Sequence, residues 1–257
     1  MNIFQRFLIL WLIVWPVFGL AQAKLKIESK RVVVGETLNY KATWGFFTIG
    51  SASTRIDKNI HKSGSTICYR IDVEGQTNGL AKLFYLQDKW VAYIDTATFA
   101  THKAFRRIRE GNYELDEQVY FDQINHKAEV KKLDKKTKLF VLKKIYNTPG
   151  NMRDVVASFM VVRLIDLSKY SKGETITIDG FLENEVYKID VVFEGEKYVK
   201  TNNTTILCYK LKPILPKNKV FNGQKAVEVW LSADKSQTII RISAKMFIGN
   251  ILIELQN

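Results

Sequence analysis

The chain has 257 residues, 46% of them hydrophobic and 12% aromatic, enough to bury one large core or two smaller ones. Its formal net charge is +13, yet the basic residues are spread out, and the densest run, Lys131–Lys138, is interrupted by Leu133 and Asp134. That spacing excludes a block-like basic tail and suits solvated lysines or attraction to an anionic surface such as phospholipid head groups or lipopolysaccharide.

Residues 1–23 hold Arg6, an apolar run from Phe7 to Phe18, and Ala21-Gln22-Ala23 at the end. A charged start, a short apolar core and an A-x-A site describe a secretory signal peptide cleaved after Ala23. The apolar run is shorter than the ~20 residues of a membrane span. Pro16 and Gly19 also interrupt its end. No cysteine follows it, so a lipoprotein anchor is not expected. No later stretch is long and apolar enough to span a bilayer, so no transmembrane span is expected in the mature chain. The expectation is an exported protein of a Gram-negative periplasm that does not bind nucleic acid. It begins at Lys24 with a charge of +12 once Arg6 is removed.

From residue 24 to 150, apolar and polar residues alternate. Leu38, Tyr40, Ala42 and Trp44 alternate with Thr37, Asn39, Lys41 and Thr43, and Tyr69, Ile71 and Val73 alternate with Arg70, Asp72 and Glu74. A period of two marks strands with one buried and one wet face. Turn signals separate them at Lys62, Arg109 and Leu133. Residues 151–172 break the rule. Val155, Val156, Phe159, Met160, Val162, Leu164 and Leu167 fit helical spacing, Asp154 suits an N-cap, and Gly173 lies beyond the end. Alternation returns from residue 173 to 257, in Tyr187–Phe193 and Ile251–Leu255. The expected fold is mainly β. It has two related curved antiparallel modules, 24–150 and 173–257, or one long curved sheet or half-barrel, with one helix connecting the halves over 151–172.

The halves also share landmarks. Gly35-Glu36-Thr37-Leu38 recurs as Gly173-Glu174-Thr175-Ile176, 138 residues on. Cys68 and Cys208 are 140 apart, as are Trp90 and Trp230, and Asp95 and Asp234 follow their tryptophans by five and four residues. The ordered set points to a duplicated sheet module, a period far longer than that of a solenoid repeat. Two cysteines in an exported chain raise a disulfide. They can meet if the repeats face each other in one sheet, and they remain two separate thiols if the modules lie apart.

No residue pattern argues for an enzyme. His61, His102 and His126 have no metal spacing and join no nucleophile arrangement. Asp95, Asp122, Asp154 and Asp234 fall at turn or cap positions, where bonding to local backbone is the simpler role. No cofactor or metal is expected. Function must then come from shape. A curved sheet around a helix has a concave apolar face, and any part that the helix leaves open suits an acyl chain. Trp44, Phe46, Phe47, Phe84, Tyr85, Trp90 and Trp230 are candidates to line it, though aromatics also dominate ordinary cores. The segment Gly79–Tyr85 sets Leu83, Phe84 and Tyr85 near Lys82, as a candidate groove mouth or membrane contact.

The stretches Gly35–Ser53, Tyr120–Asp122, Asp154–Leu167 and Val229–Ile242 resemble the exported bacterial proteins of domain-of-unknown-function family 3108. The resemblance covers most of the mature chain. It implies an exported, mostly β protein with a curved sheet, and no established activity. The pattern running from Trp230 and Asp234 to Arg241-Ile242 is also loosely similar to the sheets of periplasmic lipoprotein carriers. Two functions follow as expectations. One is a binding or carrier module for a lipid-like or envelope ligand. The other is an envelope scaffold that binds a protein through a sheet edge or its basic face.

Overall fold

The structure, a computed structural model, describes residues 27, 31–78, 85–182, 184–201, 204–214, 226–246 and 249–256. The expected signal segment 1–23 and the candidates Leu83 and Phe84 lie outside these residues.

Nine strands precede the helix: β1 (Thr37–Trp44), β2 (Phe47–Ile56), β3 (His61–Ser63), β4 (Thr66–Thr77), β5 (Gln87–Asp95), β6 (Thr101–Glu110), β7 (Tyr113–Asp122), β8 (Lys127–Leu133) and β9 (Phe140–Asn147). The helix α1 spans Val155–Leu164 and is followed by a single 3-10 turn, Leu167–Lys169. Six strands follow: β10 (Thr175–Leu182), β11 (Glu185–Lys200), β12 (Thr205–Ile214), β13 (Val227–Ser232), β14 (Ile239–Met246) and β15 (Gly249–Leu255). All belong to one antiparallel sheet, ordered β10-β11-β12-β13-β14-β15-β1-β2-β4-β5-β6-β7-β8-β9, with β3 pairing β4. The two halves of the chain are thus continuous through β1 and β15, where Tyr40 sits opposite Leu255 and Trp44 opposite Ile251.

The helix forms where the sequence places it. Asp154 caps it: its carboxylate accepts the Ala157 amide and the Thr101 hydroxyl. Val156, Ala157, Met160, Val161 and Leu164 are buried against inward residues of the sheet, among them Ile71, Ala92, Ile178, Leu211 and Val229. The sheet wraps around this helix, and its two ends meet without forming a ladder. Phe181 points from β10 to the face opposite Ile176 and Ile178. There its ring meets Phe121 of β7 and Tyr146 of β9 edge-on, each with centroids 5.6 Å apart. The Phe181 amide donates to the carbonyl of Arg153, in the link between β9 and α1. The outcome is a curled sheet that is not closed into a barrel, because its ends overlap through side chains.

Two pairs of sequence landmarks occupy matching places. Gly35 and Gly173 both have positive φ, +83° and +96°, a region that favours glycine. Each donates its amide across to the next strand, to Ile56 and Phe193 respectively, and each following glutamate carbonyl accepts the amide of that same residue. Cys68 and Cys208 lie on β4 and β12, both buried and free, and each thiol donates to the carbonyl two residues upstream. The tryptophans do not match. Trp90 faces the helix with Ala92 and Ile94, whereas Trp230 lies on the opposite parity to Val229 and Leu231. Trp230 pairs with Lys210 as Tyr93 pairs with Arg70, so Tyr93 is its counterpart in register. Equal spacing along the chain misses this because the β4–β5 hairpin, from Cys68 to its partner Asp95, is three residues longer than the β12–β13 hairpin, from Cys208 to its partner Ser232.

Candidate functional site

An apolar groove of about 500 Å³ lies between α1 and the inward faces of β1, β2, β4, β5, β14 and β15. Its size falls within the ~300–1,000 Å³ of typical ligand pockets. The sheet contributes Leu38, Ala52, Ile56, Ile71, Val73, Trp90, Ile239, Ile242 and Ile253, and the helix contributes Val155, Val156, Phe159 and Met160. Small residues make the room. On β2, Ala52 lies between Tyr40 and Gly75, and Thr54 between Leu38 and Val73, so short side chains leave space below the helix. Phe159 keeps 42% of its surface exposed, although it sits on a helix whose other apolar residues are mostly buried.

The helix is held over this groove by a turn at each end. At its start, Thr101 donates its hydroxyl to Asp154 at 2.8 Å and accepts the Asp154 amide at 3.0 Å. Burial pushes the Asp154 carboxyl up, against the pull of its cap hydrogen bonds. At its end, the buried Gln237 donates to the carbonyls of Arg163 and Ile165 and accepts the amide of Leu167. These residues flank equivalent turns, β5–β6 and β13–β14. In both, an aspartate accepts the amides two and three residues on: Asp95 from Ala97 and Thr98, Asp234 from Ser236 and Gln237. Asp122 does the same between β7 and β8. The aspartates therefore act on local backbone, as their turn positions imply.

Polar chemistry in the groove is confined to one end. Arg163 forks onto Glu36, with Nη2 to Oε1 at 2.6 Å and Nη1 to Oε2 as its second bond, and its Nε donates to the Ser236 carbonyl. Tyr40 is buried nearby, and burial, with Glu36 adding to it, pushes its hydroxyl up to about 12. Outside the groove lining, Arg106 donates to the buried Glu117 at 2.7 Å and lies 5.5 Å from the Trp90 ring.

The eight residues named from the sequence do not converge on one site. Trp90 lines the groove. Trp44, Phe46 and Phe47 sit exposed at the tip of the β1–β2 hairpin, where the Trp44 indole packs on Gly249. Tyr85 is exposed before β5 and donates its hydroxyl to Gln87. Trp230 lies outside the groove, under Lys210 at 5.1 Å and Arg241 at 6.0 Å. Leu83 and Phe84 lie outside the described residues. Of the other wall residues, Ile253 and Phe159 signal only through strand or helix periodicity, while Ile239 and Ile242 differ in parity and share the wall because β14 is bulged between them. Among the described residues, no three His, Cys, Asp or Glu side chains gather to hold a metal ion. Among those residues, no helix is long and apolar enough to cross a membrane.

A curled, barrel-like antiparallel sheet seated on one helix, with an open apolar groove between them, is the class that this fold and site define. The chain belongs to the family described as "Protein of unknown function (DUF3108)", whose sequence model matches residues 39–256. The crystal structure of the beta-barrel-like protein of domain of unknown function DUF1849 from Brucella abortus has a similar fold. It superposes with a TM-score of 0.53, covering 86% of this chain and 95% of that one at 9% identity. A search of curated proteins finds no match.

Proposed function

We propose that this protein is a periplasmic binding or carrier module for a lipid-like ligand, and that it acts without catalysis. The observation that supports this reading is the groove itself: about 500 Å³ of apolar space that α1, the only long helix among the described residues, leaves unfilled. A native core closes such space, because each unburied side chain forgoes ~25 cal/mol per Å². An apolar chain laid along Ile242, Ile253, Val73 and Phe159 would recover that energy. The basic balance of the chain favours approach to an anionic membrane surface. The amino-terminal 23 residues supply the export signal in this reading.

The test is native mass spectrometry of the protein purified from its own envelope, followed by lipid extraction. Co-purifying lipid, lost when the groove is filled by Ala52→Phe, is the expected result. Protein that emerges at its bare mass, with a mature start other than Lys24, would overturn both the carrier role and the export route.

The scaffold reading has one observation in its favour. The terminal strand β9 is exposed almost throughout, with Val141, Leu142 and Ile145 open on a sheet edge. Edge pairing to an envelope partner would give a co-purifying protein in place of lipid.

A further inference from the structure

Tyr40 shows which head group the groove is built to receive. Its side chain is 5% exposed and borders the groove, yet its hydroxyl has no hydrogen-bond partner among the described residues. Thr54 stands beside it, outside hydrogen-bonding geometry. A buried hydroxyl without a partner costs free energy that a phenylalanine would not. The burden makes sense where a ligand supplies the missing acceptor.

The neighbouring charges decide what kind of acceptor. Arg163 is the one cation bordering this groove among the described residues, and it is already committed. Both terminal nitrogens bond Glu36 and its Nε bonds the Ser236 carbonyl. An anionic head group would have to displace Glu36 and leave a carboxylate unpaired in apolar surroundings, a cost larger than one hydrogen bond returns. A cationic head group meets a Glu36 that is already neutralised. An uncharged oxygen needs no such exchange, and the Tyr40 hydroxyl remains a protonated donor at any physiological pH because burial holds its ionisation up near 12.

We propose that the groove binds a single-chain amphiphile whose uncharged oxygen, in an alcohol, ester or amide, accepts the Tyr40 hydroxyl. This rests on the lipid-binding reading of the same groove and names the ligand class within it.

The experiment is displacement of the neutral apolar dye N-phenyl-1-naphthylamine from the purified full-length protein and from Tyr40→Phe. The competitors are 1-decanol, 1-monodecanoylglycerol, decanoate and decane, at pH 8. The expected result is that wild type prefers the two neutral oxygen-bearing competitors over decane and decanoate by about tenfold. Tyr40→Phe should lose that preference and bind all neutral competitors alike. The same variant, empty, should melt about 2–4 °C higher, because an unpaired buried hydroxyl has gone. That rise also shows that the variant folds. Dye binding with no head-group preference, or an unchanged preference in Tyr40→Phe, overturns the proposal while the apolar groove stands. Tightest binding of decanoate overturns it as well. No dye binding by either protein overturns both this inference and the lipid-binding reading.

Discussion

Thr101 and Gln237 hold opposite ends of the same helix, each from the turn that occupies the same place in its half of the sheet. Thr101 exchanges two hydrogen bonds with Asp154 at the helix start, and Gln237 binds the carbonyls of Arg163 and Ile165 at its end. The groove exists because the helix is pinned at this height and cannot settle onto Ala52. Gln237→Ala would strand the Arg163 carbonyl and the Leu167 amide and leave the Ile165 carbonyl with Arg31 alone. It should cost about 2–3 kcal/mol in urea unfolding, and Thr101→Val about 1–2 kcal/mol. Both variants should also lose dye binding if the clamp sets the groove's depth.

Two adjacent helix residues that line the groove differ sharply in burial. Met160 is 8% exposed and Phe159 is 42% exposed. Met160→Ala should cost about 2–5 kcal/mol. Phe159→Ala should cost less than about 1 kcal/mol, because much of its ring is already in contact with solvent. A Phe159 loss as large as that of Met160 would mean that the ring is core and that the groove is narrower than the structure shows.

The cysteines should behave as two free, protected thiols. Burial pushes each up to about 11. Both side chains are fully buried, so at pH 8 neither thiolate nor access is available. Iodoacetamide should leave the native protein unmodified and add two groups in denaturant. A mass 2 Da lower under non-reducing conditions, with no labelling after unfolding, would identify a disulfide instead.

Stability should fall in acid through specific aspartates, Asp166 first among them. The Ser168 hydroxyl and the Lys169 ammonium hold its carboxyl down near about 2. The unfolded chain titrates near ~3.9. The unfolded state therefore binds the extra proton, and the contribution is complete above about pH 4 and disappears as pH falls towards about 2. Asp166→Asn should flatten the pH dependence of urea unfolding across that window and leave the slope above pH 5 unchanged.

Several local features were legible because each is written within a few residues. Glycine before Glu-Thr at both 35 and 173 reports a backbone that needs positive φ. Asp154 ahead of an apolar helical stripe reports an N-cap. Aspartates such as Asp122 and Asp234 report turns. The alternation reports which side chains share a face, and so a mainly β chain with one helix. Trp90 and Trp230 show where such reading stops. Their spacing matches to the residue, but the hairpin from Cys68 to Asp95 is three residues longer than that from Cys208 to Ser232, and the two rings fall on opposite faces.

By itself, the sequence determined the strand-rich composition, the helix and its cap, and the corners of the two halves. These depend on local propensity, periodicity and hydrogen bonds between near neighbours. Only the tertiary structure decided that the halves form one sheet through β1 and β15, that its ends overlap at Phe181, and that a groove opens under Phe159. Glu36 meets Arg163 across 127 positions, and Ile253 lines the same wall as Val73. Such meetings depend on the accumulated twist and curl of fifteen strands, which no short window of residues contains. The aromatics that looked like a binding face were distributed by that curl to a hairpin tip, a convex surface and one groove wall.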